Sequence, residues 1–148
     1  MVDKTALGAE GRPFEMCVER GKIHEFARAT LGTDGGWLRA DPVAPPTFLT
    51  TMFFWEALVD GSNPWDRVKM DQRRGMHAEQ DYVFHGPPPR AGDRLLCRSK
   101  ISEIYERAGR RGGTLTFAVM ETEFRDAATG RLVATARMTG VETEKAPE

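Results

Sequence analysis

Three histidines, His24, His77 and His85, are the side chains in this sequence best suited to proton transfer near neutral pH. His77 and Glu79 lie two apart on an alternating run, so in a strand they share a face at ~7 Å and form a candidate acid–base pair; the same positions also suit a solvated or structural role. His77 and His85 are eight residues apart on that run, hence ~26 Å, too far to share a metal ion. His24, between Ile23 and Glu25, reads as a surface residue of a helix. Asp34 precedes Gly35-Gly36 and reads as a turn residue, or with His77 as a weak catalytic candidate. Arg107, Arg110 and Arg111 surround a glycine-rich tip, where they suit either phosphate or acidic-carrier contact or a solvated turn. Cys17 and Cys97 stand 80 apart with no C-x-x-C, and read as small core fillers. No P-loop, G-x-G-x-x-G, G-x-S-x-G or H-E-x-x-H occurs, so nucleotide-driven, nicotinamide and serine-hydrolase chemistries lack a motif.

The elements that must position these groups follow from periodicity. Ile23, Phe26, Ala27 and Thr30 recur at helical spacing, predicting a helix over about 20–30 that Gly32 and Gly35-Gly36 end. Pro45-Pro46 opens and Asp60-Gly61 closes a second, almost wholly apolar run, Thr47 to Val59, which predicts a helix buried on all sides. From Met76 onward the period is two: four strands are expected, separated by Pro87-Pro88-Pro89, by Gly109 to Gly113, and by Asp126 to Gly130, joined as a curved antiparallel meander. A short extended entry spans Phe14 to Val18. Residues 1–12 and 143–148 read as loose ends around one domain over 13–142.

A sheet with one greasy helix available to cover it must wrap that helix. The expected class is therefore α+β with a hot-dog architecture, an α+β roll of other topology being the alternative, and with open sheet edges that favour a dimer. Lys and Arg number 21 against 22 Asp and Glu, a net charge of −1, so no bulk field draws the chain to nucleic acid or an anionic membrane. No ~18-residue apolar window exists, the opening residues show no apolar h-region behind a basic end, which argues against a secretory signal, and the sparse cysteines suit a reducing cytoplasm.

Taken in order, Gly21 to Thr30, Ala44-Pro45-Pro46-Thr47-Phe48, Met76 to Phe84 and Arg90-Ala91-Gly92-Asp93 resemble the N-terminal-type domain of MaoC-like dehydratases, over roughly Phe14 to Val141. The resemblance implies a hot-dog fold acting on acyl thioesters of coenzyme A or acyl carrier protein in fatty acid metabolism. It extends to the substrate-binding subunits of mycobacterial-type 3-hydroxyacyl dehydratases, which work beside a separate catalytic subunit. Catalytic relatives carry an Asp, then an Asn-Pro and a His, ahead of the central helix; here Gly32 to Pro42 has aspartates but no histidine and no Asn-Pro. The resemblance thus implies an acyl-binding subunit, a homodimer or a heterodimer with a catalytic MaoC-like chain, and neither cofactor nor metal. Thr47 and Phe48, at a helix start, suit either simple helix initiation or a contact to the thioester carbonyl. Phe48, Met52 and Phe53 suit an acyl tunnel or plain core packing. Two alternatives stay open: a hot-dog thioesterase using Asp34, Asp41 or Glu56, and a non-catalytic acyl-thioester binding protein.

Overall fold

A computed structural model describes residues 1–33, 35–110 and 112–144. Its strands are β1 (Phe14–Cys17), β2 (Gly75–Phe84), β3 (Arg94–Ala108), β4 (Thr114–Asp126) and β5 (Leu132–Thr143), and helix α1 spans Arg20–Ala29. Alternation is clearest in the first half of β3. In β3, Leu95, Cys97, Ser99 and Ile101 are buried while Arg94, Leu96, Arg98 and Lys100 are exposed. The β4–β5 turn is fixed by Asp126, whose Oδ1 accepts from the amides of Ala128 and Thr129, and by Gly130 at φ +73°, a left-handed conformation that glycine adopts freely.

All five strands form one antiparallel sheet in the order β1-β3-β4-β5-β2. Only β3, β4 and β5 are a meander. Against expectation, β2 does not pair with the next strand but crosses the fold to lie beside β5, with Gln80 opposite Met138 and Tyr82 opposite Ala136. The connection contains Pro87, Pro88 and Pro89, which offer no N–H to a hairpin ladder. Pro89 instead accepts from Ala44 at 2.8 Å, tying the connection to the segment ahead of the central helix.

That central segment differs from the sequence reading in length and in facing. It is a 3₁₀ helix over Phe48–Met52 that passes into a single α-turn, α2 (Phe53–Glu56). Phe48, Leu49, Thr51 and Glu56 are buried against the sheet, but Phe53 and Phe54 are half exposed and Leu58 is 80% exposed, so the run is not buried on all sides. Thr50, Thr51, Phe53, Phe54 and Trp55 are β-branched or aromatic residues that lose rotamer freedom in a helix. Beyond α2, the buried Ser62 Oγ donates to the carbonyls of Glu56 and Val59 at 2.7 Å each, offering those groups a partner other than a continuing helix.

Two apolar clusters result. The larger lies under α1 and the central helix and includes Phe14, Met16, Ile23, Phe48, Leu49 and Phe124. Phe26 meets Phe48 edge to face at 5.7 Å. The smaller holds Val2, Ala6, Val68, Ile101, Ala118 and Met120. Residues 1–12 therefore are not loose as composition suggested: the Asp3 amide donates to Val68, Gly8 to Ile101 and Gly11 to Ser99, each at 2.8–2.9 Å. Main-chain bonds and two small side chains, Val2 and Ala6, do the covering, which leaves no apolar period to read. At the other end, Thr143 completes β5 and Glu144 Oε2 accepts from the Thr114 amide; residues 145–148 lie outside the described chain.

Close approach explains one interior glycine. A Cβ on Gly140 of β5 would stand 2.7 Å from Cζ2 of Trp65, so the indole lies flat where a side chain would be.

Candidate functional site

Between the central helix and the strands β2, β4 and β5 lies a half-open cavity of about 210 Å³. Its walls are mainly apolar: Leu49, Met52 and Phe53 from the helix, Met120 and Met138 from the sheet, and Trp65 at one end. The inward period of the strands puts Gln80 and Tyr82 of β2, Thr122 of β4 and Ala136 of β5 on the same lining.

Three of the polar liners, Asn63, Gln80 and Thr122, are hydrogen-bonded within the protein. Burial pushes the Tyr82 phenol above the ordinary range, against a smaller opposing effect of the Thr50 side chain. Thr122 Oγ1 lies 2.8 Å from Ser99 Oγ, Asn63 Oδ1 accepts from the Trp65 amide at 2.9 Å, and Gln80 Nε2 donates to the Arg137 carbonyl at 3.3 Å. Glu56 is different. It is 5% exposed, and its Oε1 has no hydrogen-bond partner among the described residues. Burial first, and the negative charge of Asp66 second, raise its carboxyl above the usual carboxylate range. Glu56 also borders a more open hollow of about 430 Å³ with Asp60 and Asp66.

Of the residues proposed from sequence to meet an acyl group, Met52 and Phe53 border the cavity. Thr47 is exposed at the helix start; Phe48 is fully buried in the larger core, and its N–H donates to the Pro45 carbonyl at 2.9 Å, so that donor is taken. His77 is exposed and lines a neighbouring hollow of about 170 Å³, divided from the cavity by Trp65 and Met138. A register shift separates His77 from Glu79, and the imidazole Nε2 meets the Glu79 main-chain oxygen at 3.0 Å, so the hydrogen bond of this pair runs to main chain and not to the carboxylate. His24 pairs with the Arg39 carbonyl and His85 with Thr135 Oγ1. Arg107 lies over the rings of Tyr105 and Phe117, 5.2 and 5.9 Å from their centroids, while those rings stack at 4.9 Å. Arg110 is exposed beside it. From Leu115, opposite Arg107, to Met120 is ~17 Å along β4, so the fold does not bring this tip to the cavity. Asp34 and Arg111 lie outside the described residues, and Asp41 forms an exposed ion pair with Arg90 at 3.0 Å.

Both cysteines are free; Cys97 is fully buried, which pushes its thiol up and leaves it unreactive filler. Among the described residues no group of three or more His, Cys, Asp or Glu side chains is gathered to hold an ion, and no helix is long and apolar enough to cross a membrane. Trp65, Asn63, Met120, Thr122 and Met138 were missed as cavity residues. The strand period marks the inward positions of β4 and β5, but nothing local marks which of them face open space.

A curved antiparallel sheet laid around a short central helix defines a hot-dog protein of the dehydratase type. The chain belongs to the family described as FAS1-like, dehydratase domain region, whose model matches residues 5–136. It is 30% identical to a UPF0336 protein of Saccharopolyspora erythraea over 97% of this chain and 96% of that one. Among solved structures it is similar to the HadBC (3R-hydroxyacyl-ACP dehydratase) complex of Mycobacterium tuberculosis, with 27% identity and a TM-score of 0.67 over 92% of this chain and 96% of that one. The ChsH1-ChsH2 complex of the same organism shares the fold at 13% identity, with a TM-score of 0.70 over 98% of this chain and 89% of that one.

Proposed function

We propose that this chain is the acyl-binding subunit of an enoyl-thioester hydratase or 3-hydroxyacyl-thioester dehydratase, with the acid–base pair supplied by a catalytic hot-dog partner. The observation that carries the reading is the cavity under the central helix: apolar, bounded by Met52 and Phe53, set in a dehydratase-family fold, and without a histidine in its lining. Adding water to an enoyl thioester, or removing it, needs a group that holds and yields a proton near neutral pH. The three histidines of this chain are hydrogen-bonded at other places, so the chain's own part is to bind and orient the acyl group.

The partner reading draws support from the HadBC and ChsH1-ChsH2 complexes, each of which joins two kinds of chain. It also has a physical basis in β2, an edge strand with a free ladder side and with Met76 and Val83 more than half exposed. In this reading Arg107 and Arg110, on a tip set apart from the cavity, would serve a carrier's acidic surface or the phosphates of coenzyme A.

The test is co-purification from the native cell, followed by hydration of crotonyl-CoA and longer enoyl-CoA esters with and without the accompanying chain. The isolated protein is expected to bind the esters without turnover, and the pair to hydrate them. Full turnover by the isolated chain would overturn the dependent role. Glu56 in the cavity favours a second reading, an acyl-thioesterase, and release of free thiol from saturated acyl-CoA by the isolated chain would establish it.

A further inference from the structure

Along β5 the inward positions are Ala134, Ala136, Met138 and Gly140, a floor of small residues with one long side chain standing among them. Ala136 lies on the lining of the cavity and Gly140 on that of the hollow at His77, while Met138 lines both. Trp65 also lines both, but its indole is fitted to the bare backbone of Gly140, where a Cβ would stand 2.7 Å from the ring. Met138 is the adaptable part of the divide: methionine is unbranched, turns about three bonds and repacks around irregular contents. Its neighbours are of the same kind. Met52 and Met120 line the cavity and Met70 and Met76 the hollow, so five of the chain's seven methionines border these two spaces.

We propose that the cavity and the hollow form one acyl site divided by Met138, which swings aside to let a long acyl chain run from the first space into the second. This rests on the acyl-thioester reading above and names its chain-length class. An apolar cavity of ~150 Å³ holds one benzene, which is about 25 Å³ per carbon. By that measure the cavity of about 210 Å³ takes about eight carbons and the hollow of about 170 Å³ about seven more. Acyl groups of about ten to fifteen carbons are therefore the class that needs both. The hollow suits the end of such a chain: apart from Gln72 and His77, whose imidazole already meets the Glu79 main-chain oxygen, its lining is apolar side chain or bare backbone.

The experiment is NMR of the full chain, isotope-labelled at its methionine methyl groups, titrated with octanoyl-CoA and with dodecanoyl-CoA, alone and with its co-purified partner. Octanoyl-CoA is expected to move the signals of Met52, Met120 and Met138 and to leave Met70 and Met76 in place. Dodecanoyl-CoA is expected to move all five, with Met16, fully buried in the larger core, as the reference that stays. In calorimetry the longer ester is expected to bind roughly 10- to 100-fold more tightly, each buried methylene being worth up to about fourfold. Met138→Phe, which sets a stiffer ring in the divide, is expected to shrink that ratio and Met138→Ala to enlarge it; melting curves check that both fold. The wild-type spectra decide by themselves if neither variant folds. Met70 and Met76 left unmoved by dodecanoyl-CoA while Met52 and Met120 respond, or a ratio unchanged in both variants, would overturn the proposal. Equal movement of Met70 and Met76 by octanoyl-CoA would overturn the divide at Met138. No response of Met52 and Met120 to either ester would instead remove the acyl-thioester reading beneath it.

Discussion

The two apolar clusters are covered by different means. Over the larger, α1 and the central helix bring Ile23, Phe26, Phe48 and Leu49 down onto Phe14, Met16 and Phe124, and aromatic rings interlock. Over the smaller, residues 2–11 lie as a strap whose amides bond Val68 and the β3 residues Ser99 and Ile101, and whose buried apolar side chains, Val2 and Ala6, are small. Met52 packs against both clusters, and the cavity opens beside it, bounded by Leu49 of the first and Met120 of the second. The lesson is that space for a ligand arises at the seam between a side-chain-packed core and a main-chain-covered one, where neither cover reaches.

That contrast is open to attack at three points. Phe124→Ala in the larger cluster removes a fully buried ring and is expected to cost about 3–5 kcal/mol of stability, read by urea unfolding. A loss below about 1 kcal/mol would show that this cluster is not the rigid one. The strap's end is held differently: Glu142 is 3% exposed and meets Arg74 at 2.9 Å, the chain's amino terminus at 3.5 Å and the Asp71 amide. Arg74→Met leaves a buried carboxylate short of its main counter-charge and is expected to cost about 3 kcal/mol, together with faster amide exchange at Asp3 and Gly8. Unchanged exchange there would separate the ion pair from the strap. The smallest effect falls at the seam. Because the folded Glu56 carboxyl titrates above its unfolded value, its contribution is intact below the ordinary glutamate pKa of ~4.3 and is lost as pH rises through the raised one. Wild type is therefore expected to lose melting temperature relative to Glu56→Gln as pH climbs from 4 toward neutrality. Parallel melting curves across that range would contradict it.

What the sequence disclosed follows the same division. The boundaries of α1, β3, β4 and β5 were readable within a residue or two because α1 carries an apolar stripe at helical spacing, β3 alternates in and out, and glycine-bearing connections close the strands. The strap was invisible, since main-chain bonds leave no mark on composition. The β2–β5 pairing was unreadable for a related reason: a strand's period says which face is inward but not which neighbour lies beside it. At the site, Met52 and Phe53 were legible as apolar residues of the central helix, and Glu56 as an acid in it. Which of its sides faced the sheet was not, because a run apolar on every side carries no moment.

One wall of the cavity leans on a residue outside it. The indole of Trp65 rests on the bare backbone of Gly140 and forms part of the partition between the cavity and the hollow at His77. A methyl group at 140 would press on the indole and on Met70, so the shared wall of the two hollows would have to give way before any side chain could stand there.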